Sequence, residues 1–432
     1  MAISGITPDP PFSSASNGFH MKISNAINLR HLRAFIAVAE FGSVSQAAES
    51  LYRAQSAISR SIHELEAGLG VDLFERKANG MLPTAFGQTL LYRAQRAAQE
   101  FRLARDEMSS RIRKANGSLT APIFDMLFNK DRLQIFVTLA ESHHMPTVAN
   151  LLGITQPAVS AAISELEASL GIPLFIRTAK GMLLNEAGEI LVLRTKLALA
   201  ELRHVEADIA ALHGKTQGQV TVGAHPLSRT LILPRAITRV LTLHPHVRIS
   251  TVEGRTDDLA AALRSGDLDF VLGTMRPGHT APGMIDLPLM TDKMSVFVRT
   301  GHPLTRLTKV TLDDLMQAEW ILPAGRTPTR ELFDQVFTQM SGTLPKSPIE
   351  TSDLSVLRSL LLNSDLITAI SPQQLALERQ LGLLQMLDFE FEKSARVIAL
   401  SRRAKSHPSP GAAALITAIQ QVVSELDDTN RL

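Results

Sequence analysis

The stretch "AQSAISRSIHELEAGLGVDLFER", from Ala54 to Arg76, recurs as "TQPAVSAAISELEASLGIPLFIR", from Thr155 to Arg177, at a shift of 101 positions. The correspondence continues without a gap from Leu32 to Leu82 and from Leu133 to Leu183. Two copies are too few for a solenoid, so the chain carries a small domain twice. Each copy has the same layout. Phe35, Val38 and Ala39 (Phe136, Leu139 and Ala140) mark a first helix, and Ala47, Ala48 and Leu51 (Val148, Ala149 and Leu152) a short second one. Ile58, Ile62, Leu65 and Leu69, matched by Val159, Ile163, Leu166 and Leu170, give a third helix one buried face. Gly70 and Gly171 stop it.

The opposite face of that third helix is the informative one. Gln55, Ser56, Ser59 and Arg60 form a polar strip at its N-terminal end. Gln pairs with adenine, Arg with guanine, and serine takes bases or phosphate. The next segment, "LFERKANGMLPT", is a strand-turn-strand the size of a wing, with Arg76 and Lys77 placed for backbone phosphate. On an isolated helix such a strip is ordinarily just solvated. Three helices, a wing and a duplication together favour a DNA reader.

The copies have diverged. The second begins its third helix on Thr155, with Gln156, Pro157 and Ser160 in place and Arg177 and Lys180 nearby, all candidate DNA contacts. Yet Ala161-Ala162 stand where the first copy has Arg60-Ser61, and His143-His144 where it has Gly42-Ser43. Residues 28–116 hold thirteen Lys and Arg against nine Asp and Glu, +4; residues 117–215 hold eight against ten, −2; from Thr216 on the charges balance at twenty-two each. Phosphate attraction is screened within about 8 Å at physiological salt, so the local excess matters more than the whole-chain +2. The first copy is expected to be the main reader, and the second a weak reader or a packing module.

Both copies resemble the winged helix-turn-helix of the LysR-type transcriptional regulators. The signature A-x-x-L-x-x-(S/T)-Q-(P/S)-A-(L/I/V)-S-x-x-I-x-x-L-E-x-x-L-G-x-x-L-F-x-R is matched almost throughout at Ala48 to Arg76 and at Ala149 to Arg177. Members of that family normally carry one such domain, so the second copy is a departure. The resemblance implies a sequence-specific DNA-binding regulator with double-stranded DNA as partner. After each copy a helix follows with a coiled-coil-like seam: Leu91, Ala94, Ala98, Phe101, Arg105, Met108 and Ile112, then Ala198, Leu202, Val205, Ile209 and Leu212. Either helix is placed to dimerise or to pack against its own winged domain; in the family the linker helix is the dimer contact, which carries over the expectation of a homo-dimer or homo-tetramer through these helices.

From Gln219 strands and helices alternate, as in βαβ units with a parallel sheet; a second α/β unit follows, and the last strand is expected to return to the first unit. The layout resembles the two-lobed, periplasmic-binding-protein-like effector domain of the same family. The wording "GDLDFVLG", "GHPL" and "ETSDLSVLR" resembles the branch named for the galactose-binding-protein regulator. Ligands of such sheets bind beyond the carboxyl ends of strands, beside helix N-termini. That rule selects His225, Pro226, Ser228, Arg229, Thr274, Arg276, Arg326, Thr327, Ser352, Asp353 and Ser371, although many such Ser, Thr and Asp residues serve only as local caps. Three arginines favour an anionic or polyhydroxyl effector. Trp320 sits inside an apparent strand and reads as core.

The expected organisation is thus α plus α/β: a disordered tail at 1–27, a winged domain at 28–88, a linker helix at 89–116, a second winged domain at 130–188, a second linker helix at 189–214, and an effector domain at 218–425. Its first lobe spans 218–291 with 392–425, and its second 292–391. The chain has no cysteine, so disulfides, cysteine nucleophiles and Cys-ligated zinc are excluded and a reducing cytoplasm is indicated. The opening segment is rich in Pro and Ser with no unbroken apolar run, and no stretch is apolar enough to span a membrane. There is no G-x-S-x-G elbow, phosphate-cradling glycine loop or H-E-x-x-H pair, so neither enzyme, cofactor nor metal is expected. The remaining rival is a ligand-sensing assembly protein whose winged domains oligomerise without reading DNA.

Overall fold

The computed structural model describes residues 27–77, 80–114, 129–179, 181–275, 282–325 and 327–429. The chain divides into an N-terminal unit, Met1–Lys215 with Ser265–Asp267, and a C-terminal unit, Thr216–Arg264 with Leu268–Leu432.

In the N-terminal unit α1 (Leu29–Phe41), α2 (Val44–Ser50) and α3 (Gln55–Leu69) lead into an antiparallel hairpin, β1 (Phe74–Lys77) and β2 (Gly80–Pro83), and then α4 (Ala85–Lys114). The same order follows as α5 (Lys130–Ser142), α6 (Met145–Leu152), α7 (Gln156–Leu170), β3 (Phe175–Thr178), β4 (Gly181–Leu184), α8 (Glu186–Arg203) and α9 (Val205–Leu212). The second linker, expected as one helix, is therefore broken at His204. Local chemistry repeats with the sequence: the side chains of Asn28 and Asn129 each accept a backbone N–H at 2.9 Å to cap α1 and α5. Each hairpin is tied to the turn before the second helix, Met81 N donating to Gly42 O at 2.8 Å and Met182 N to His143 O at 2.9 Å. A Cβ on Gly80 or Gly181 would lie 2.4 Å from that same carbonyl oxygen, so only glycine fits there. Ile27 is buried, so the ordered core begins before residue 28.

One continuous hydrophobic core runs through both three-helix modules. It is continuous because α4 packs along α8 and α9. Leu90, Ala94, Phe101 and Met108 of the first linker and Leu191, Ala198, Leu202 and Ile209 of the second are all buried. The seams expected to meet another copy of the chain meet each other instead. An apolar stripe specifies that a face is covered and leaves open by what.

The C-terminal unit comprises β5 (Gly218–Ala224), α10 (Ile232–Leu243), β6 (Val247–Val252), α11 (Thr256–Ser265), β7 (Phe270–Thr274), β8 (Met284–Asp292), β9 (Ser295–Arg299), α12 (Leu312–Gln317), β10 (Ile321–Leu322), α13 (Pro328–Ser341), β11 (Ile349–Glu350), α14 (Leu354–Asn363), β12 (Thr368–Ile370), α15 (Ala376–Gln380), β13 (Leu384–Met386), β14 (Arg396–Arg403) and α16 (Pro410–Thr429). The first lobe is a five-stranded sheet in the order β6-β5-β7-β14-β8. Strand β5 is parallel to β6 and β7, whereas β14 is antiparallel to both β7 and β8. The sheet is therefore mixed, not parallel throughout as the βαβ reading expected, and the last strand, β14, returns from the second lobe to this first one, between β7 and β8. The chain leaves this lobe along β8 and returns along β14, and the two crossing strands pair. The second lobe holds the antiparallel set β12-β9-β13 and the short parallel pair β10-β11. Trp320 is fully buried there, its Nε1 donating to Leu315 O at 2.8 Å.

Candidate DNA interface and ligand cleft

Helix α3 separates its two faces cleanly. Ile58, Ile62 and Leu65 are buried in the core, while Gln55, Ser56, Ser59 and Arg60 are exposed. Arg60 Nε donates to Glu64 Oε1 at 2.7 Å across one helical turn, which holds the Glu64 carboxyl below its ordinary range. The Arg60 side chain is 81% exposed, so the pair is weak and exchangeable. Arg76 and Lys77 project from β1, Lys77 pairing with Glu75 at 2.7 Å. On α7, Gln156, Pro157 and Ser160 are exposed, as is Arg177 on β3; Lys180 lies outside the described residues. The Thr155 hydroxyl accepts from Ala158 N at 3.4 Å, a cap that Ala54 cannot offer α3.

Sequence reasoning missed Tyr52 and Arg53. Tyr52 is 96% exposed and holds a left-handed φ of 53° in the turn between α2 and α3. The second copy places Gly153 there, with φ 67°. Together with Ser45, Glu49 and Gln55 these residues line an open groove of about 550 Å³. An aromatic side chain in this region is strained. The signal was available as a mismatch between repeats, Tyr against Gly, but it falls outside every helical period.

In the C-terminal unit a cleft of about 300 Å³ opens between the two lobes. His225, Pro226, Thr274, Thr327 and Ser352 line it. The other candidates among the described residues do not. Ser228 is fully buried, and Arg229 forms an ion pair with Glu253. Asp353 is spent on capping α14, accepting from Ser355 N at 2.7 Å. Ser371 donates to Asp292 Oδ1 at 2.5 Å. Arg276 and Arg326 fall outside the described residues. The expectation missed Arg255, Thr256 and Asp257 at the start of α11, Thr329 at the start of α13 and Gln374. Helices α11, α13 and α14 all begin at this cleft, so the positive ends of three helix dipoles meet there. Behind it Asp292, at the end of β8, joins the lobes: it accepts from Ser371 of the second lobe and from Arg396 Nε at 3.0 Å, while Arg396 Nη1 reaches Thr329 Oγ1 at 3.1 Å.

Among the described residues no group of three or more His, Cys, Asp or Glu is placed to hold a metal ion, and no helix is long and apolar enough to cross a membrane.

Comparison with known proteins accounts for both halves. "Bacterial regulatory helix-turn-helix protein, lysR family" matches residues 29–88 and again 131–189, and "LysR substrate binding domain" matches residues 213–424. The HTH-type transcriptional regulator GalR of Pseudomonas putida is 46% identical over 398 residues, covering 92% of this chain and 98% of that protein. The regulator PcaQ of Agrobacterium fabrum is 28% identical over 298 residues, 68% of this chain and 95% of that one. GbpR of Rhizobium radiobacter, whose branch the C-terminal wording resembled, is 28% identical over only 242 residues, so that finer placement has loose support. A full-length CbnR bound to its target DNA superimposes with a TM-score of 0.50 at 19% identity, covering 68% of this chain and all of that one, and a full-length OxyR of Pseudomonas aeruginosa with 0.51 at 21%, covering 68% of this chain and 93% of that one. The relatives are transcriptional regulators and not enzymes. On these matches at both ends, the chain belongs to the LysR family of DNA-binding transcriptional regulators with a substrate-binding domain.

Proposed function

We propose that α3 is the principal DNA-reading element of this regulator, that α7 contributes a weaker contact, and that the interlobe cleft binds a small anionic or polyhydroxyl effector in a periplasmic-binding-protein-like domain. The observation that carries the DNA assignment is the exposure of Gln55, Ser56, Ser59 and Arg60 on the side of α3 opposite its buried face. Arg76 and Lys77 on the wing supply phosphate contacts, and the +4 of residues 28–116 against the −2 of residues 117–215 favours the first module. For the effector, the support is the convergence of three helix N-termini with Arg255, Thr256 and Thr327 on one cleft. The rival, an assembly protein that reads no DNA, has no such use for an exposed Arg60.

The test is binding of the purified chain to its own upstream DNA at fixed salt, with Arg60→Ala beside Gln156→Ala/Ser160→Ala. Loss of one bidentate guanine contact costs about 1–3 kcal/mol. Arg60→Ala should weaken specific binding roughly five- to 150-fold on that figure, the α7 pair less. Equal affinity of wild type and Arg60→Ala would remove α3 from the reading role.

A further inference from the structure

Arg93 lies on α4 with 1% of its side chain exposed, and its Nη1 donates to Glu201 Oε2 at 2.8 Å while its Nε donates to Asp208 Oδ2 at 2.7 Å. Arg194 lies on α8, and its Nη1 donates to Glu100 Oε2 at 2.8 Å while it also pairs with Glu107. Each of these residues is the repeat mate of another at the 101-position shift: Arg93 of Arg194, Glu100 of Glu201, Glu107 of Asp208. The contact is therefore reciprocal: each arginine grips the carboxylates whose repeat mates are gripped by the other. The apolar seam obeys the same rule. Leu90, Ala97, Phe101 and Met108 are buried, and so are Leu191, Ala198, Leu202 and Ile209 at the same shift. Reciprocity of this kind is the mark of a two-fold interface between identical subunits. Here both sides belong to one chain.

We infer that α4 and α8 form a pseudo-two-fold seam within a single chain, so that one molecule is a complete two-headed reader of a duplex with two unlike half-sites. This rests on the DNA-reading assignment of α3 and α7 above. The two-fold relation puts α3 and α7 in equivalent positions about the seam. Their tips differ, Arg60-Ser61 against Ala161-Ala162 and Tyr52 against Gly153, so equivalent positions meet DNA with different side chains. Two readers that share a two-fold axis take half-sites about one helical turn apart or a multiple of it. Because the linker faces are covered by each other, a second chain is not needed to complete the pair. The head carrying α3 specifies its half-site strongly, and the head carrying α7 specifies the other loosely.

The chain has no cysteine of its own, which makes the seam directly testable. The full chain carrying Glu107→Cys/Arg194→Cys is treated with a short bismaleimide, and Glu100→Cys/Arg194→Cys serves as the second pair if the first is unfolded by circular dichroism. A cross-linked product of single-chain mass, with both thiols consumed, is the expected result. A product of two-chain mass, or two thiols capped separately, would overturn pairing within the chain. The cross-linked protein is then used to select duplexes from a random-sequence pool. The expected site has two unlike halves, Arg60→Ala relaxing one by about fivefold or more and Gln156→Ala/Ser160→Ala affecting only the other. A palindrome whose halves both fail with Arg60→Ala would overturn the two-headed reader. An internal cross-link whose selected site responds to neither substitution would leave the seam standing, sink the DNA assignment of α3 and α7, and overturn the two-headed reader with it.

Discussion

Arg93 and Glu201, one on each linker helix, meet at 2.8 Å with the arginine side chain 1% exposed and the glutamate side chain 11% exposed. Removing one partner of a buried pair strands the other, at a cost of about 3–5 kcal/mol. Arg93→Ala should therefore lower the stability of the N-terminal unit by that order. Arg194→Ala, at its more exposed repeat position with 19% of the side chain accessible, should cost less than half as much. Urea unfolding followed by far-ultraviolet circular dichroism measures both, and equal losses would refute the asymmetry.

The same carboxylate sets a pH dependence. Burial pushes the Glu201 carboxyl up, but its hydrogen bonds from Arg96 and Arg93 outweigh that and hold it below the ordinary carboxylate range. A group depressed on folding contributes stability that is fully present above its unfolded value, about 4.3, and is lost as pH falls through the lower folded value. The urea midpoint of the winged half should drop on acidification below about pH 4.5, and Glu201→Gln should flatten that slope while lowering the midpoint at neutral pH. A variant with the wild-type slope would place the acid sensitivity elsewhere.

Thr195 occupies the seam position whose repeat mate is Ala94; it is fully buried and its Oγ1 has no hydrogen-bond partner. A buried hydroxyl without a partner costs about 1–3 kcal/mol, and an apolar group of the same shape avoids that cost. Thr195→Val should raise the melting temperature of the N-terminal unit, and a fall of several degrees would show that the hydroxyl is satisfied in solution.

Tyr52 sits at φ 53°, where its repeat mate is glycine. A left-handed residue other than glycine carries a strain of about 1–2 kcal/mol. Tyr52→Gly is expected to stabilise the chain by up to about 1 kcal/mol on relief of that strain and to weaken DNA binding several-fold. A variant that is more stable with undiminished affinity would make the strain incidental.

Asp292 is 4% exposed and bridges Ser371 and Arg396 behind the cleft. Asp292→Asn leaves the Arg396 charge unbalanced between the lobes. It should destabilise the C-terminal unit by about 2–4 kcal/mol and leave the affinity for DNA without effector within twofold. Scanning calorimetry measures the stability and a DNA titration the affinity, and an affinity changed by more than twofold would contradict the separation of the two roles.

The recognition helix was legible because its signal is local. Ile58, Ile62 and Leu65 repeat at helical spacing, and whatever lies opposite them faces water. The cleft was only partly legible. The rule of strand ends and helix starts led to His225, Pro226, Thr274, Thr327 and Ser352, which line it, and equally to Asp353 and Ser371, whose polar atoms turn to backbone and to Asp292. A capping side chain and a ligand-facing one look alike in a sequence, because both are short polar residues ahead of a helix. Strand β8 went unseen, and with it the mixed sheet, because antiparallel pairing of β8 with β14 joins residues about a hundred positions apart.

By itself the sequence determined the repeat, the three-helix and wing layout of each copy, the polar tip of α3 and the division into a reading half and a sensing half. The layouts and the polar tip rest on periodicity and on spacing within a few turns, the repeat on identity at a shift of 101 positions, and the assignment of the two halves on the resemblance to the LysR-type regulators. Only the tertiary structure decided what covers the linker seams, since the stripes on α4 and α8 would be equally satisfied by a second chain. The reciprocal grip of Arg93 on Glu201 and of Arg194 on Glu100 spans the interval between the two copies, and no local pattern reports which carboxylate a buried guanidinium will find.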